Sequence, residues 1–435
     1  MADRFTTREA KVAVIGLGYA GLPMALALAV AGFETVGLDH DAAKRARLEG
    51  GETGMRHVPA TALGAALRAG RFRVTGDPVL LAQADAVLIC VPTPVGPDRQ
   101  PDLSAVEAAA RMVAWHLRPG QLVVLESTTW PGTTRRVVRP ILESTGLRCG
   151  NDFFLAYSPE REDPGNTEFR TAGIPRIVGG ADANALHLAE TLYGAVVART
   201  VPVGSLEAAE AVKLTENAFR AVNIALANEL KMAFGAMGID VWEVVAAAAS
   251  KPFGYMPFWP GPGVGGHCIP VDPLYLAWQA RAAGVPARFV ELAGEINADM
   301  PFHVVTALEA ALRRGRGKGL AGSRILVLGA AYKPGIEDVR ESPALRLMEL
   351  IERQGGEAPY HDPLVPVLPA QAEHPGLAGR CSLPWAEALA CDAALIVTDH
   401  DGIDYAGLCD AMPLVVDTRD ACARRGLRGP NIVKA

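Results

Sequence analysis

Residues 11–21 read Lys11-Val12-Ala13-Val14-Ile15-Gly16-Leu17-Gly18-Tyr19-Ala20-Gly21, a β-branched run that breaks into glycine and continues as an apolar, helix-like stretch over 20–32. A strand, a glycine turn and a helix in that order open a βαβ unit. The three glycines serve different ends, since Gly16 allows the tight turn, Gly18 lets a pyrophosphate approach the backbone, and Gly21 lets helix and strand pack closely. Tyr19 and Ala20 lie in the same turn as candidate cofactor contacts. A second strand spans 34–38, and Asp39 closes it at the distance expected of a ribose-binding carboxylate. Its negative charge disfavours the extra phosphate of NADP, so the expected cofactor is NAD. Lys44, just beyond, is either an adenosine-side contact or a solvated helix residue. The competing reading of the whole unit is a tight βα turn without ligand.

Outward from this unit, strand candidates at 86–91, 122–126, 153–156 and 176–178 alternate with alanine-rich helical patterns, which argues for a parallel, doubly wound sheet. From 205 to 237 the pattern becomes one long helix without proline, with apolar residues at Val212, Phe219, Val222 and Leu226. A proline- and glycine-rich loop follows over 251–273. The run Arg313-Arg314-Gly315-Arg316-Gly317-Lys318-Gly319 reads as a surface linker rather than a polyanion site. A second βαβ-like series begins at 324–329, with a helix at 343–354 and strands at 394–397 and 414–416. The expected fold class is α/β: two Rossmann-like doubly wound domains, 1–204 and 314–435, joined by a central, mostly helical region, 205–313.

Half of the 435 residues are apolar without a run long enough to span a bilayer, and the net charge of -6 offers no general attraction to nucleic acid or anionic membrane. Small metabolites are the expected partners. Seven scattered cysteines with no CxxC or His/Cys ligand spacing fit a reducing cytoplasm and give no metal site. The polar first eleven residues carry no export signal.

Candidate chemistry concentrates in Gly261-Pro262-Gly263-Val264-Gly265-Gly266-His267-Cys268-Ile269-Pro270-Val271-Asp272-Pro273. Cys268 is a candidate nucleophile and Asp272 can face the same pocket if Pro270 and Pro273 hold a fixed turn. A buried, inert cysteine in a glycine loop is the alternative. Thr93 and Thr128 follow apolar strands at the carboxyl edge where doubly wound sheets bind ligands, although threonines there also simply form turns. Tyr157-Ser158-Pro159-Glu160-Arg161-Glu162-Asp163-Pro164-Gly165-Asn166 is dense in groups suited to sugar hydroxyls, or else a decorated surface loop. Lys213 and Asn217 are four residues apart on one helix face, with Glu210 and Glu216 elsewhere on the surface. A cation and an amide donor together suit an oxyanion; an exposed amphipathic face is the alternative. Lys333 and Arg340, within Ala331–Pro343, can clamp a diphosphate at a strand-to-helix crossing or belong to a solvated loop.

In this order the motifs GLGYAGLP, KLTEN, GVGGHCIPVDP and YKPGIEDVRES resemble the nucleotide-sugar 6-dehydrogenase family, from Lys11 to about Asp399. The resemblance implies a four-electron oxidation of a sugar's primary alcohol to a carboxylate by two NAD in turn, through a thiohemiacetal and a thioester on Cys268. It gives Lys213 and Asn217 the oxyanion, Asp272 an association with Lys213 and a catalytic water, Glu160 acid–base work in hydrolysis, and Thr128 the positioning of water. Substrate contacts are implied at Glu160, Arg161, Lys213, Asn217, Tyr255, Gly265, Gly266, Tyr332, Lys333 and Arg340. UDP-glucose dehydrogenases usually carry a second glutamate four residues after the one matched by Glu160, and here that position is Pro164. SPEREDPGN with PGPGVGGHCIP looks more like UDP-N-acetylglucosamine 6-dehydrogenases, so that UDP-sugar is the first-choice substrate and UDP-glucose the alternative. A homodimer through the central helices is expected. A one-step NAD-dependent hydroxyacid dehydrogenase and a non-catalytic nucleotide-sugar sensor are the more distant readings.

Overall fold

Alternate residues of β1 (Lys11–Ile15) enter two different cores: Val12 and Val14 join one apolar cluster, Ala13 and Ile15 another. Side chains of a strand point alternately to opposite faces, so a strand apolar at every position must be covered on both. This is the condition for a doubly wound sheet. The computed structural model describes residues 1–435 except 56–57, 97–99, 162–170 and 267 and the side chains of Thr171 and Cys268. Two units are present, Met1–Glu216 with Leu274–Pro286, and Asn217–Pro273 with Ala287–Ala435.

The first unit holds β2 (Glu34–Leu38), β3 (Phe72–Thr75), β4 (Ala86–Ile89), β5 (Leu122–Leu125), β6 (Phe154–Tyr157), β7 (Arg176–Gly180) and β8 (Thr200–Val203). With β1 they form one sheet in the order β3-β2-β1-β4-β5-β6-β7-β8. Val14 of β1 aligns with Gly37 of β2 and Leu88 of β4. The expectation of a wholly parallel sheet fails at one pairing, because β7 runs antiparallel to β6, with Tyr157 opposite Gly179. Two strands of this unit went unread in the sequence, as did β10 (Tyr360–His361) and β13 (Ile432–Lys434) of the second. β3 is four residues long, and β8 carries Pro202 at the sheet edge, where a missing backbone donor is tolerated.

The second unit repeats the logic with β9 (Ile325–Leu328), β10 (Tyr360–His361), β11 (Ala393–Ile396), β12 (Val415–Asp417) and β13 (Ile432–Lys434), all parallel in the order β10-β9-β11-β12-β13. Ile325 and Val327 face one cluster, Leu326 and Leu328 the other. Helix Pro343–Arg353 follows β9, opened by Ser342, whose side chain accepts from the Ala344 amide, with Pro343 in the first turn.

The long helix is present as Leu206–Ala236. Its buried stripe runs through Leu214, Ala218, Ala221, Ala225 and Asn228, whereas Phe219 and Leu226 are about half exposed. Small alanines rather than large side chains make the close packing along this stripe. Glu210, expected on the surface, is fully buried. The supposed linker is also corrected: helix Arg288–Arg316 runs through Arg313–Arg316 and stops where Gly317 turns left-handed at φ 68°. In the helix Val241–Ala249, Trp242 has two ammonium groups by its ring, Lys231 at 5.5 Å from its centre and Lys434 at 5.2 Å. Lys434 also pairs with Asp240 and Asp420, while the buried Lys231 ammonium has no hydrogen-bond partner among the described residues.

Candidate active site

The turn after β1 is built to admit a dinucleotide. Gly16 sits at φ +90°, and a Cβ there would meet the Cys90 carbonyl at 2.6 Å; one at Gly21 would meet the Gly16 carbonyl at 1.8 Å. At Gly18 a Cβ would project into open space, the side from which a phosphate can approach. Helix Gly21–Val30 begins here with no side-chain cap; its Leu22 amide donates to the Gly18 carbonyl at 3.1 Å, and Tyr19 and Ala20 lead into its amino terminus, the end that attracts an anion. Asp39 follows β2 with its carboxylate fixed by the Leu17 amide at 2.9 Å, the Asp41 amide at 3.0 Å and Lys44 Nζ at 2.9 Å. Burial raises its pKa, but those donors outweigh burial and leave it below the usual carboxylate value. An ionised acceptor at this place suits ribose hydroxyls, so the residues fit NAD. Lys44 is thereby placed on Asp39.

Other sequence-predicted groups gather at the carboxyl ends of β4, β5 and β6. Thr93 is buried beyond β4, where the Tyr275 hydroxyl donates to its carbonyl and, at 3.0 Å, to that of Pro94. Thr128 is half-buried beyond β5. Beyond β6, Lys213 Nζ donates to the Glu160 carbonyl at 2.6 Å and stands 3.6 Å from its carboxylate. Arg161 does not reach outward alone: its guanidinium pairs with Glu216 at 2.5 Å and donates to the Pro175 carbonyl at 2.6 Å. Lys213 is buried, which excludes the solvated-face alternative for this residue. Pro164 lies outside the described residues.

In the second unit the glycine loop meets the segment after β9. A Cβ on Gly265 would fall 2.6 Å from Tyr332 Cβ, and one on Gly266, at φ +78°, 2.9 Å from the Tyr332 ring. Gly266 also donates its amide to the Arg340 carbonyl at 2.9 Å. No side chain fits between these two segments, which explains the pair of glycines physically. Arg340 is held by Asp338 at 2.6 Å, and Lys333 lies 6.0 Å from the Tyr332 ring centre. Tyr255 is exposed at 40%.

The expected turn across Pro270 and Pro273 is instead helix: Cys268 is the first residue of Cys268–Ala282. The first amides of a helix have no intrahelical partner, so Pro270 is tolerated there; Pro273 stands inside. Positions 268 and 272 are thus one turn apart. Asp272 is buried and accepts from Asn217 Nδ2 at 2.5 Å, so the aspartate and the amide of the long helix are brought together. The side chain of Cys268 lies outside the described residues.

Sequence reasoning missed two buried acids. Glu210, three residues before Lys213, accepts from the Gly132 amide at 2.5 Å, the Thr134 amide at 2.8 Å and the Thr134 hydroxyl at 2.6 Å, anchoring the loop beyond Thr128. Burial pushes its pKa up to about 7 despite these donors. Glu126, two residues before Thr128, pairs with Arg176 at 2.5 Å. Glu210 read as a surface acid in sequence and Glu126 only as the end of a strand, with no role given to its carboxylate. No cluster of three or more metal-ligating side chains occurs among the described residues.

Comparison with known proteins agrees along the chain. Residues 10–197 match the NAD binding domain, 207–299 the central domain and 326–424 the UDP binding domain of the UDP-glucose/GDP-mannose dehydrogenase family. The chain is 36% identical to the UDP-N-acetyl-D-mannosamine dehydrogenase of Pyrococcus horikoshii, over 90% of this chain and 89% of that one. It is 35% identical to the UDP-N-acetyl-D-glucosamine 6-dehydrogenase of Pseudomonas aeruginosa, over 84% and 86%. The solved structure of the Pyrococcus horikoshii UDP-D-ManNAc dehydrogenase superposes with a TM-score of 0.86, covering 98% of each chain at 34% identity. With its glycine turn, its Asp39 and its three matched domains, the chain belongs to the UDP-glucose/GDP-mannose dehydrogenase family and is an NAD-dependent oxidoreductase.

Proposed function

We propose that this protein oxidises the C6 alcohol of UDP-N-acetylglucosamine to the uronic acid, with Cys268 as covalent nucleophile. The observation that carries the reading is the Asn217–Asp272 hydrogen bond, one helical turn beyond the position at which Cys268 opens a helix. A thiol at a helix amino terminus is stabilised as thiolate, the form that attacks an aldehyde. NAD, when bound, accepts a hydride in each of the two oxidations.

Cys268 Sγ adds to the carbon of the aldehyde left by the first oxidation, and the resulting alkoxide is stabilised by the Lys213 ammonium and the Asn217 amide. Loss of the second hydride leaves a thioester. Water, positioned by Thr128 with Glu160 and Asp272 taking protons, attacks the carbonyl carbon; the C–S bond breaks and the thiol is restored. The sum is R–CH2OH + 2 NAD+ + H2O → R–COO− + 2 NADH + 3 H+. Tyr332, Lys333, Arg340 and the Gly265–Gly266 cradle hold the nucleotide-sugar, with Tyr255 and Arg161 as further contacts.

SPEREDPGN and the relative named for UDP-N-acetyl-D-glucosamine support the choice of sugar; the relatives named for UDP-N-acetyl-D-mannosamine make that epimer a second reading. UDP-glucose remains the alternative where Pro164 replaces the second glutamate. A panel of UDP-glucose, UDP-N-acetylglucosamine, UDP-N-acetylmannosamine and GDP-mannose decides: two NADH per UDP-N-acetylglucosamine is expected, and turnover of GDP-mannose alone rejects the UDP assignment. Cys268→Ser is expected to bind both ligands and lose uronate formation; undiminished acid formation rejects the covalent route. One NADH per sugar would indicate a one-step dehydrogenase, and none a sensor.

We also assign a homodimer through the central helices, in a reducing cytoplasm. Phe219 and Phe258 form an edge-on pair with ring centres 5.6 Å apart, and Phe219 is 51% and Leu226 52% exposed. Apolar side chains one heptad apart on a helix make a seam for a second copy. Light scattering should give a dimer for the wild type and a monomer for Phe219→Lys; a monomeric wild type removes the assignment.

A further inference from the structure

Beneath the strand ends that carry Thr128 and Glu160 lies a group of buried ionisable side chains for which the oxidation chemistry has no use. Glu126 follows β5 and Arg176 opens β7, with side chains 0% and 5% exposed. Because β7 enters the sheet antiparallel to β6, its first residue stands at the edge where β4, β5 and β6 end. Arg176 Nη2 lies 2.5 Å from Glu126 Oε2, and the Tyr193 hydroxyl donates to Glu126 Oε1 at 2.5 Å. Arg176 stacks 4.9 Å from the Tyr193 ring centre and donates from Nε to Ser158 Oγ at 2.8 Å and from Nη2 to the Ser158 carbonyl at 3.4 Å. The Cys90 thiol also bonds Glu126, and burial together with that carboxylate pushes its pKa well above the usual thiol value.

A buried ion pair is seldom retained for stability, since a well-packed apolar replacement is often neutral or better. What this one joins is specific. Glu126 is two residues from Thr128, and Ser158 is two residues from Glu160; the pair ties one backbone to the other. Ser158 Oγ in turn donates to the Ile177 carbonyl at 2.7 Å, locking the Glu160 segment to β7.

We propose that the Glu126–Arg176 pair is the positioning element of thioester hydrolysis, fixing Thr128 and Glu160 at the separation that water attack requires. The proposal rests on the roles given to Thr128 and Glu160 in the proposed function. Arg176 acts on the reaction through them and touches no reacting atom. The groups that share its field are Glu126, Tyr193, Cys90 and Glu160, the last attracted through space.

The test compares wild type, Arg176→Met, Arg176→Lys and Ser158→Ala in rapid-mixing experiments that record NADH formation and, by quenching, acid release. Intact-protein mass spectrometry detects the thioester. Arg176→Met is expected to slow acid release about tenfold or more, while the first NADH phase stays within about twofold. The uronyl adduct should accumulate on the protein. Arg176→Lys should recover most of the rate. Oxidation and release slowing in parallel, no accumulation of the adduct, or wild-type release in Arg176→Met would overturn the proposal. Should Arg176→Met fail to fold, Ser158→Ala decides, since it leaves the ion pair intact: slowed release with an unchanged melting temperature supports the positioning role, and release at the wild-type rate rejects it. A wild type that forms no thioester rejects the hydrolytic reading itself, whatever the variants do.

Discussion

Lys231 shows what one buried side chain does to the whole. The residue is 6% exposed and its ammonium fully buried, without a hydrogen-bond partner among the described residues, and burial, aided by the charge of Arg419, lowers its pKa to about 7. The folded pKa lies below the unfolded one, so between about 7 and the ordinary lysine value the unfolded chain holds the extra proton. Stability must therefore fall as pH drops through that window and stay low beneath it. Lys231→Met should melt higher than wild type at pH 6 by an amount worth about 1–4 kcal/mol, with the difference shrinking towards pH 10. A pH-independent difference in thermal melts would count against this account. Glycines at 16, 21, 265 and 266 stand where the backbone leaves no room for a side chain, whereas a Cβ at Gly18 would meet nothing, so that glycine is legible only from its motif. Arg176, Glu126, Glu210 and Lys231 were not legible, because ionisable residues belong by default to the surface and only tertiary packing overrides that.

At the scale of elements, alternation of apolar strands with helices was enough to predict both doubly wound sheets, and proline-free length enough for the helix Leu206–Ala236. The antiparallel entry of β7 left no trace in its own residues, since strand direction is a property of the connection and not of the strand. Helical structure from Cys268 was hidden by Pro270 and Pro273, which suggest a turn; Pro270 falls among the opening amides that have no intrahelical partner, while Pro273 is accommodated inside the helix at the cost of one hydrogen bond. The same long helix stabilises a neighbour through Glu210, whose carboxylate serves three donors of the segment 132–134. Glu210→Ala would strand those donors and should lower stability by about 2–4 kcal/mol, with faster amide exchange at Gly132 and Thr134. Unchanged exchange there would show that water replaces the carboxylate without cost.

At the scale of the molecule, the apolar clusters divide as the two units do. The clusters around Val14 and Ile15 belong to the first, those around Val327 and Leu328 to the second. Each unit thus has a core of its own, and a ligand stabilises the unit that binds it. NAD at a hundred times its dissociation constant should raise the melting of the first unit by the equivalent of about 2.7 kcal/mol, and UDP that of the second. A single calorimetric transition moved equally by either ligand would contradict that independence.

The tryptophans supply an optical way to see which unit responds. Trp130 and Trp278 have ring centres 5.7 Å apart within the first unit, close enough to couple their strong far-ultraviolet transitions, and a dichroic couplet is expected there. Trp242, with the Lys231 and Lys434 ammonium groups 5.5 and 5.2 Å from its ring centre in the second, is expected to shift its emission as Lys231 titrates, which fluorescence recorded against pH checks. One sample therefore carries two separate spectroscopic channels, a couplet that fades with the cofactor-binding unit and a fluorescence that shifts near neutral pH, and neither requires a label.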